Sequence, residues 1–180
     1  MRGTHNKLLY SSVFGTSMMK IKIITTGGTI DKIYFDQKSE YQVGDPQAHE
    51  VLKRANVVLD YEVESILKKD SLDFTDDDRE LIRQKVGSTS FDRVVITHGT
   101  DTMIDTAKIL KHISGKTIAL TGSMYPAQFR DSDAVFNLGC AVTAVQVLVP
   151  GVYIVMNGRV FNPELVRKNL ELNRFEDIVE

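Results

Sequence analysis

Ile21-Lys22-Ile23-Ile24-Thr25-Thr26-Gly27-Gly28-Thr29 is the stretch from which the fold can be read. A run rich in β-branched residues reads as a buried strand, and two glycines end it in a turn that carries a threonine hydroxyl. The same order of parts returns at Val94-Val95-Ile96-Thr97-His98-Gly99-Thr100-Asp101-Thr102. A third strand end, Thr121-Gly122-Ser123-Met124-Tyr125-Pro126, again joins a glycine to a hydroxyl. In open α/β sheets, ligands bind at the carboxyl ends of the strands. Three such turns on one sheet edge point to a shared site.

Outward from these turns, strands are expected over residues 20–25, 57–66, 93–97, 116–121 and 152–156. Between them lie helix signals. Thr75 can cap a helix over 76–85, with Asp78 as capping-box partner and Gly87 beyond its end. Thr102 stands in a similar relation to Asp105, and Gly115 closes that helix after Ile113. A third helix begins near Ser132, shows an apolar face of Ala134, Val135, Leu138, Ala141, Val142 and Val145, and stops at Pro150-Gly151. Strands alternating with single helices predict an α/β fold: a mostly parallel sheet with helices on both faces, in a Rossmann-like three-layer arrangement. The polar stretch 31–45 interrupts the alternation and is expected to form a short hairpin or a flap over the site.

A chain of 180 residues suits a single domain, expected over 19–180. Its net charge of −2 gives no electrostatic case for a nucleic-acid partner or an anionic membrane. No window approaches the roughly 18 apolar residues of a membrane span. A small-molecule partner and a cytoplasmic location are the expectations. Residues 1–18 mix Arg2, His5 and Lys7 with a broken apolar run; they read as a disordered leader, an upstream extension or a cloning remnant, with Met18 or Met19 as an alternative start. Cys140 is the sole cysteine and lies in an apolar helical stretch, so a buried, inert thiol is expected.

The turns also carry chemistry. Glycine permits close backbone approach, and N–H groups at Gly28, Gly99 and Gly122 can face a developing oxyanion. Gly27-Gly28-Thr29 equally fits a tight turn or a phosphate nest, but it has neither the Walker spacing nor G-x-G-x-x-G. Asp101, next to Thr100, could instead cap a helix. His98 sits in no Ser-His-Asp order, so a structural hydrogen bond is expected of it. The acidic run 73–78 lies at a helix start, where it complements the dipole; no metal and no cofactor are expected.

Thr26-Gly27-Gly28-Thr29-Ile30, together with Ile96-Thr97-His98-Gly99-Thr100-Asp101-Thr102-Met103, resembles the two signature motifs of the bacterial-type L-asparaginase family. The resemblance continues through Thr121-Gly122-Ser123-Met124 and Phe136-Asn137-Leu138 to Val155-Met156-Asn157-Gly158. It covers nearly all of residues 20–175, and only the amino-terminal domain of a two-domain family. A small single-domain relative is therefore expected.

The resemblance implies roles that residue order alone does not give. Thr29 matches the primary nucleophile, and Tyr41 the tyrosine that helps activate it. Thr100, Asp101 and Lys168 match the second threonine with its hydrogen-bonded acid and lysine. Ser71 matches the serine that holds the substrate α-carboxylate, and Asp101 also receives the α-ammonium. Ser123 matches a position that contacts the reacting amide mainly through its backbone. Read alone, Tyr41 is a loop aromatic, and Lys168, beside Arg167, is a solvated helix charge. A threonine hydroxyl needs a nearby proton acceptor, a part open to Tyr41 for Thr29 and to an uncharged Lys168 for Thr100.

Leu72 departs from the family, which often carries a polar residue after the substrate-binding serine. The second domain, which closes the site across an interface in relatives, has no counterpart in these 180 residues. A homo-oligomer, a dimer or a dimer of dimers, is expected to supply that wall. The implied activity is hydrolysis of L-asparagine to L-aspartate and ammonia, with glutamine as a lesser substrate. The alternatives are a weak or inactive amino-acid-binding module and an amidotransferase subunit that delivers ammonia to a partner.

Overall fold

The computed structural model describes residues 19–35 and 40–178; the leader expected over 1–18 lies outside them. The strands are β1 (Lys20–Gly27), β2 (Lys32–Phe35), β3 (Glu40–Val43), β4 (Asp60–Lys69), β5 (Arg93–Thr97), β6 (Thr117–Thr121), β7 (Gly151–Met156), β8 (Arg159–Phe161), β9 (Val166–Asn169) and β10 (Arg174–Asp177). The helices are α1 (Ala48–Arg54), α2 (Asp76–Ser88), α3 (Met103–Leu110) and α4 (Ala134–Val147).

The main sheet has six strands in the order β4-β1-β5-β6-β7-β8. All its pairings are parallel except that of β7 with β8. By order of appearance its parallel strands therefore run 2-1-3-4-5, the doubly wound pattern in which the topological switch falls between the first and third strands. Those strands are β1 and β5, and they end in Gly27-Gly28-Thr29 and His98-Gly99-Thr100. Topology thus sets the first two turns at the crevice where such sheets bind ligands.

Two cores flank the sheet. On one face, Ile21, Ile23, Val95, Ala119 and Val155 pack with Ala48, Val51 and Leu52 of α1 and Leu138, Ala141 and Val145 of α4. On the other, Ile24, Val94, Ile96, Ile118 and Leu120 pack with Ile82 and Val86 of α2 and Met103, Ala107 and Leu110 of α3. The strands are buried on both faces, so they read as continuous apolar runs rather than alternating ones. The expected three-layer α/β fold is what forms.

Toward the carboxyl edge the aliphatic layer gives way to hydroxyls. Ser65, Thr25, Thr97 and Thr121 lie in register across four parallel strands. Thr121 Oγ1 donates to Val155 O at 2.8 Å, whereas the buried Thr25 and Thr97 hydroxyls have no partner among the described residues.

Local signals held where they were self-contained. Thr75 and Asp78 form the expected capping box, with Asp78 N–H donating to Thr75 Oγ1 at 3.3 Å and Thr75 N–H to Asp78 Oδ2 at 2.8 Å. Others moved. The strand expected over 57–66 lies at Asp60–Lys69, because Asn56 takes a left-handed turn (φ 52°) after α1 and β4 begins only where Asp60 pairs with Lys20. Thr102 occupies the N-cap position of α3 but makes no side-chain cap bond; its hydroxyl donates to Ser71 O at 2.8 Å. Within the stretch 31–45, β2 and β3 pair antiparallel, and residues 36–39 lie outside the described ones. Cys140 is half-buried rather than buried, packed against the first core. No helix among the described residues is long and apolar enough to cross a membrane.

Candidate active site

The site is built by contact between turns. Gly27 and Gly28 both have positive φ, 100° and 85°, a region that favours glycine. A Cβ on Gly28 would overlap Gly99 Cα and N, and one on Gly99 would overlap the Ser71 side chain. A Cβ on Gly122 would overlap His98 O. The missing side chains at these positions bring the β1, β5 and β6 ends and the Ser71 turn into direct apposition. Hydrogen bonds fix the arrangement: Thr26 Oγ1 donates to Thr97 O at 2.9 Å, and His98 N to Thr121 O at 2.8 Å.

One sequence expectation changes at Gly28. Its N–H donates to Lys69 O at 2.9 Å, so the oxyanion-donor part expected of it is already occupied. What Gly28 supplies is close approach to Gly99.

Thr100 is 3% exposed, and its Oγ1 lies 2.8 Å from Lys168 Nζ. The same ammonium is 2.7 Å from Asp101 Oδ1. These residues are separated by 68 and 67 positions in the chain, and the structure brings all three together. Lys168 is not a solvated helix charge. It lies on β9, in a hairpin whose Val166 and Phe175 are buried against the second core, and its side chain is only 15% exposed.

Ser71 is fully buried at the start of a short 3-10 turn, and its hydroxyl has no partner among the described residues. A buried, unpaired hydroxyl costs free energy, so this one, beside Gly99, stands out among the groups at these turns. Ser123 is buried too, but its Oγ donates to Tyr125 O at 2.5 Å. Its hydroxyl proton is thereby committed to the loop that follows.

The Thr29 side is less finished. Thr29 is half-buried, and no described residue hydrogen-bonds its hydroxyl. Tyr41, on β3, is 51% exposed, and its ring packs edge-on against Tyr34 at 5.4 Å and Phe129 at 6.1 Å. Among the described residues, its hydroxyl is not joined to Thr29.

Two buried titratable groups flank these turns; the structural part of His98 was legible in the sequence, but the setting of Asp31 was not. The His98 imidazole bridges Gly99 O and Thr106 Oγ1, both at 2.8 Å. Because a carbonyl only accepts, Nδ1 carries the proton and Nε2 accepts from Thr106. Burial pushes the pKa of His98 down to about 4, so it stays neutral and serves the structural part expected of it. Asp31, two residues after Thr29, accepts Gln47 N–H on Oδ1 at 2.8 Å and Gly44 N–H on its main-chain oxygen at 2.8 Å. Burial raises its carboxyl to about 7, against the opposing effects of the Gln47 bond and of Lys68. Among the described residues, no group of three or more His, Cys, Asp and Glu side chains is placed to hold a metal ion.

The family model described as "Asparaginase, N-terminal" matches residues 20–175. The chain is 30% identical over 171 residues to L-asparaginase from Thermococcus kodakarensis, covering 89% of this chain and 51% of that protein. It is 29% identical over 159 residues to a glutamyl-tRNA(Gln) amidotransferase subunit from Methanococcus vannielii, covering 80% and 35%. Among solved structures, the thermostable L-asparaginase from Thermococcus kodakarensis superposes with a TM-score of 0.77 at 30% identity, over 88% of this chain and 51% of that one. L-asparaginase I from Vibrio cholerae gives 0.73 at 28% identity, over 89% and 52%. The chain thus spans about half the length of the L-asparaginases it matches.

Proposed function

The chain belongs to the asparaginase family, and from that premise we propose that it hydrolyses L-asparagine to L-aspartate and ammonia through a threonine nucleophile. The observation that carries the reading is the meeting of Lys168 with Thr100 and Asp101 beside the Gly28–Gly99 contact. Thr29 Oγ attacks the side-chain amide carbon as its proton passes by a hydrogen-bond chain through the Tyr41 hydroxyl toward the leaving nitrogen. The tetrahedral oxyanion collapses, the C–N bond breaks, and the nitrogen leaves as ammonia after gaining a proton. Water then cleaves the threonyl ester, giving aspartate and restoring the Thr29 hydroxyl. Thr100, held by Lys168 and Asp101, passes protons in these steps. Ser71 Oγ receives the substrate α-carboxylate, and Asp101 its α-ammonium. Gly99, Gly122 and the Ser123 backbone line the reacting amide.

A coupled ammonia assay tests this, with glutamine and β-amides beside asparagine. Saturating release from asparagine is expected, and Thr29→Ala and Lys168→Met should each lose about a thousandfold or more while keeping the fold. Full activity in both variants would overturn the assignment.

The similarity to a tRNA-dependent amidotransferase component supports a second reading, in which the same chemistry delivers ammonia to a partner. It predicts little turnover alone and co-purification with a synthetase-like or RNA-handling protein. A binding module without chemistry would instead show ligand-induced stabilisation and no ammonia. The exposed apolar strip of Val135, Phe136, Val147 and Val160 along α4 and β8 supports a homo-oligomer, which sedimentation velocity would detect.

A further inference from the structure

The hairpin that carries Lys168 is not part of the main sheet. Among the described residues β9 pairs only with β10, so something else must set its place relative to Thr100. The burial of Val166 and Phe175 supplies part of that, but apolar contacts have little directional preference.

A chain of amide hydrogen bonds supplies direction. Asn137, on α4, is fully buried. Its Nδ2 donates to Gly122 O at 3.1 Å and to Asp133 Oδ2 at 2.8 Å. Asp133 in turn accepts the N–H groups of Met124 at 3.0 Å and Tyr125 at 3.1 Å, which fixes the loop after Ser123. Asn137 Oδ1 accepts the N–H of Asn157 at 3.1 Å. Asn157 sits in the left-handed region (φ 53°) at the turn between β7 and β8, and its Oδ1 accepts the N–H of Phe175 at 2.9 Å. Phe175 is the register partner of Lys168. The chain therefore runs from the Gly122 turn, through two asparagines, to the residue opposite Lys168.

We infer that Asn157, oriented by Asn137, is a positioning residue for Lys168: it fixes the β9–β10 hairpin so that the amine meets Thr100 and Asp101. The inference rests on the proposed reaction for its kinetic consequence, but not for its geometry. A link between the amide-facing loop and the lysine also makes the two walls of the site move as one body. A displacement of about 1 Å in such a site costs up to about a hundredfold in rate.

Asn157→Gly keeps the left-handed backbone accessible while deleting the acceptor, and Asn157→Asp restores an acceptor at the same place. In Asn157→Gly, kcat should fall about 10- to 100-fold with KM changed less than about threefold, and Asn157→Asp should return to within about threefold of the parent. Two readouts do not depend on turnover. Hydrogen exchange at the Phe175 amide should accelerate about tenfold or more in Asn157→Gly, and the Lys168 13Cε signal should shift in that variant and return in Asn157→Asp. An unmoved Lys168 signal alongside a freed Phe175 amide would overturn the inference, whether or not the parent releases ammonia. A parent that releases none, with the lysine signal responding as described, would overturn the proposed reaction and leave the positioning intact.

Discussion

The two threonine turns end neighbouring strands, yet they are finished to different degrees. Around Thr100 everything is in place: a buried hydroxyl, an amine 2.8 Å away, a carboxylate on that amine, and a neutral histidine bonded to the Gly99 carbonyl. Around Thr29 the hydroxyl has no partner among the described residues, and the tyrosine assigned to it is half in solvent on a hairpin outside the main sheet. The contrast follows from where the supporting groups reside. Each threonine draws a group from a two-stranded hairpin, a unit with little stability of its own; that of Lys168 is anchored by Val166 and Phe175 in the second core, whereas Tyr41 stands half in solvent. The surroundings of Thr100 are preorganised, and those of Thr29 are not.

The largest expected effect comes from breaking the contact that joins the halves. Gly28→Ala would drive a Cβ into the Gly99 backbone at a φ that alanine disfavours. A loss of about 2–4 kcal/mol in stability, read by urea unfolding, and loss of turnover are expected. A variant as stable and active as the parent would show that the turns need not touch.

Tyr41→Phe tests the unfinished half. It removes only the hydroxyl and keeps the edge-on ring contacts with Tyr34 and Phe129. kcat should fall about 10²- to 10⁴-fold, the range of a general base, with little change in melting temperature. Unchanged kcat would remove Tyr41 from the reaction and leave Thr29 in need of another acceptor.

A smaller effect is expected at Ser71. Its hydroxyl is buried and unpaired, so Ser71→Ala should not destabilise the fold, whereas most losses of a buried polar group do. KM for asparagine should rise about tenfold through the lost α-carboxylate contact. A stability loss with unchanged KM would make the residue structural.

What the sequence made legible follows the same division. The β1 and β5 turns, the three-layer arrangement and the capping box at Thr75 were readable because each depends on neighbouring residues or on apolar period. The place of Lys168 was not. β9 and β10 are short and mostly polar, with only Val166 and Phe175 buried, so no period marks them as strands. Only the family resemblance set Lys168 beside Thr100. Helix α1 was missed although Ala48, Val51 and Leu52 carry a helical spacing, because seven residues make a weak signal. Thr102 stands at the N-cap position of α3 without a side-chain cap bond, and the bond its hydroxyl does make, to the Ser71 carbonyl, spans 31 positions that no local pattern reveals.

Each half also holds one buried titratable group, and the two are shifted in opposite senses. Asp31 has a raised carboxyl, from the ordinary 3.8 to about 7, so the folded chain holds a proton that the unfolded chain has released. Its contribution to stability is full below about pH 4 and is lost as pH rises through 7. His98 is depressed from 6.5 to about 4; its contribution is full above about pH 6.5 and is lost as pH falls through 4. Between roughly pH 4 and 6.5 the two slopes oppose each other. Asp31→Asn keeps an acceptor for Gln47 N–H but cannot ionise, so it removes one slope and leaves the other. Relative to the parent it should gain about 1.4 kcal/mol of stability per pH unit between about pH 4 and 7, read from urea unfolding in matched buffers. A difference that stays flat across that range would mean that the Asp31 carboxyl, beside the less finished threonine, reaches water after all, and that the Thr29 turn is more open than the Thr100 turn by more than its hydroxyl.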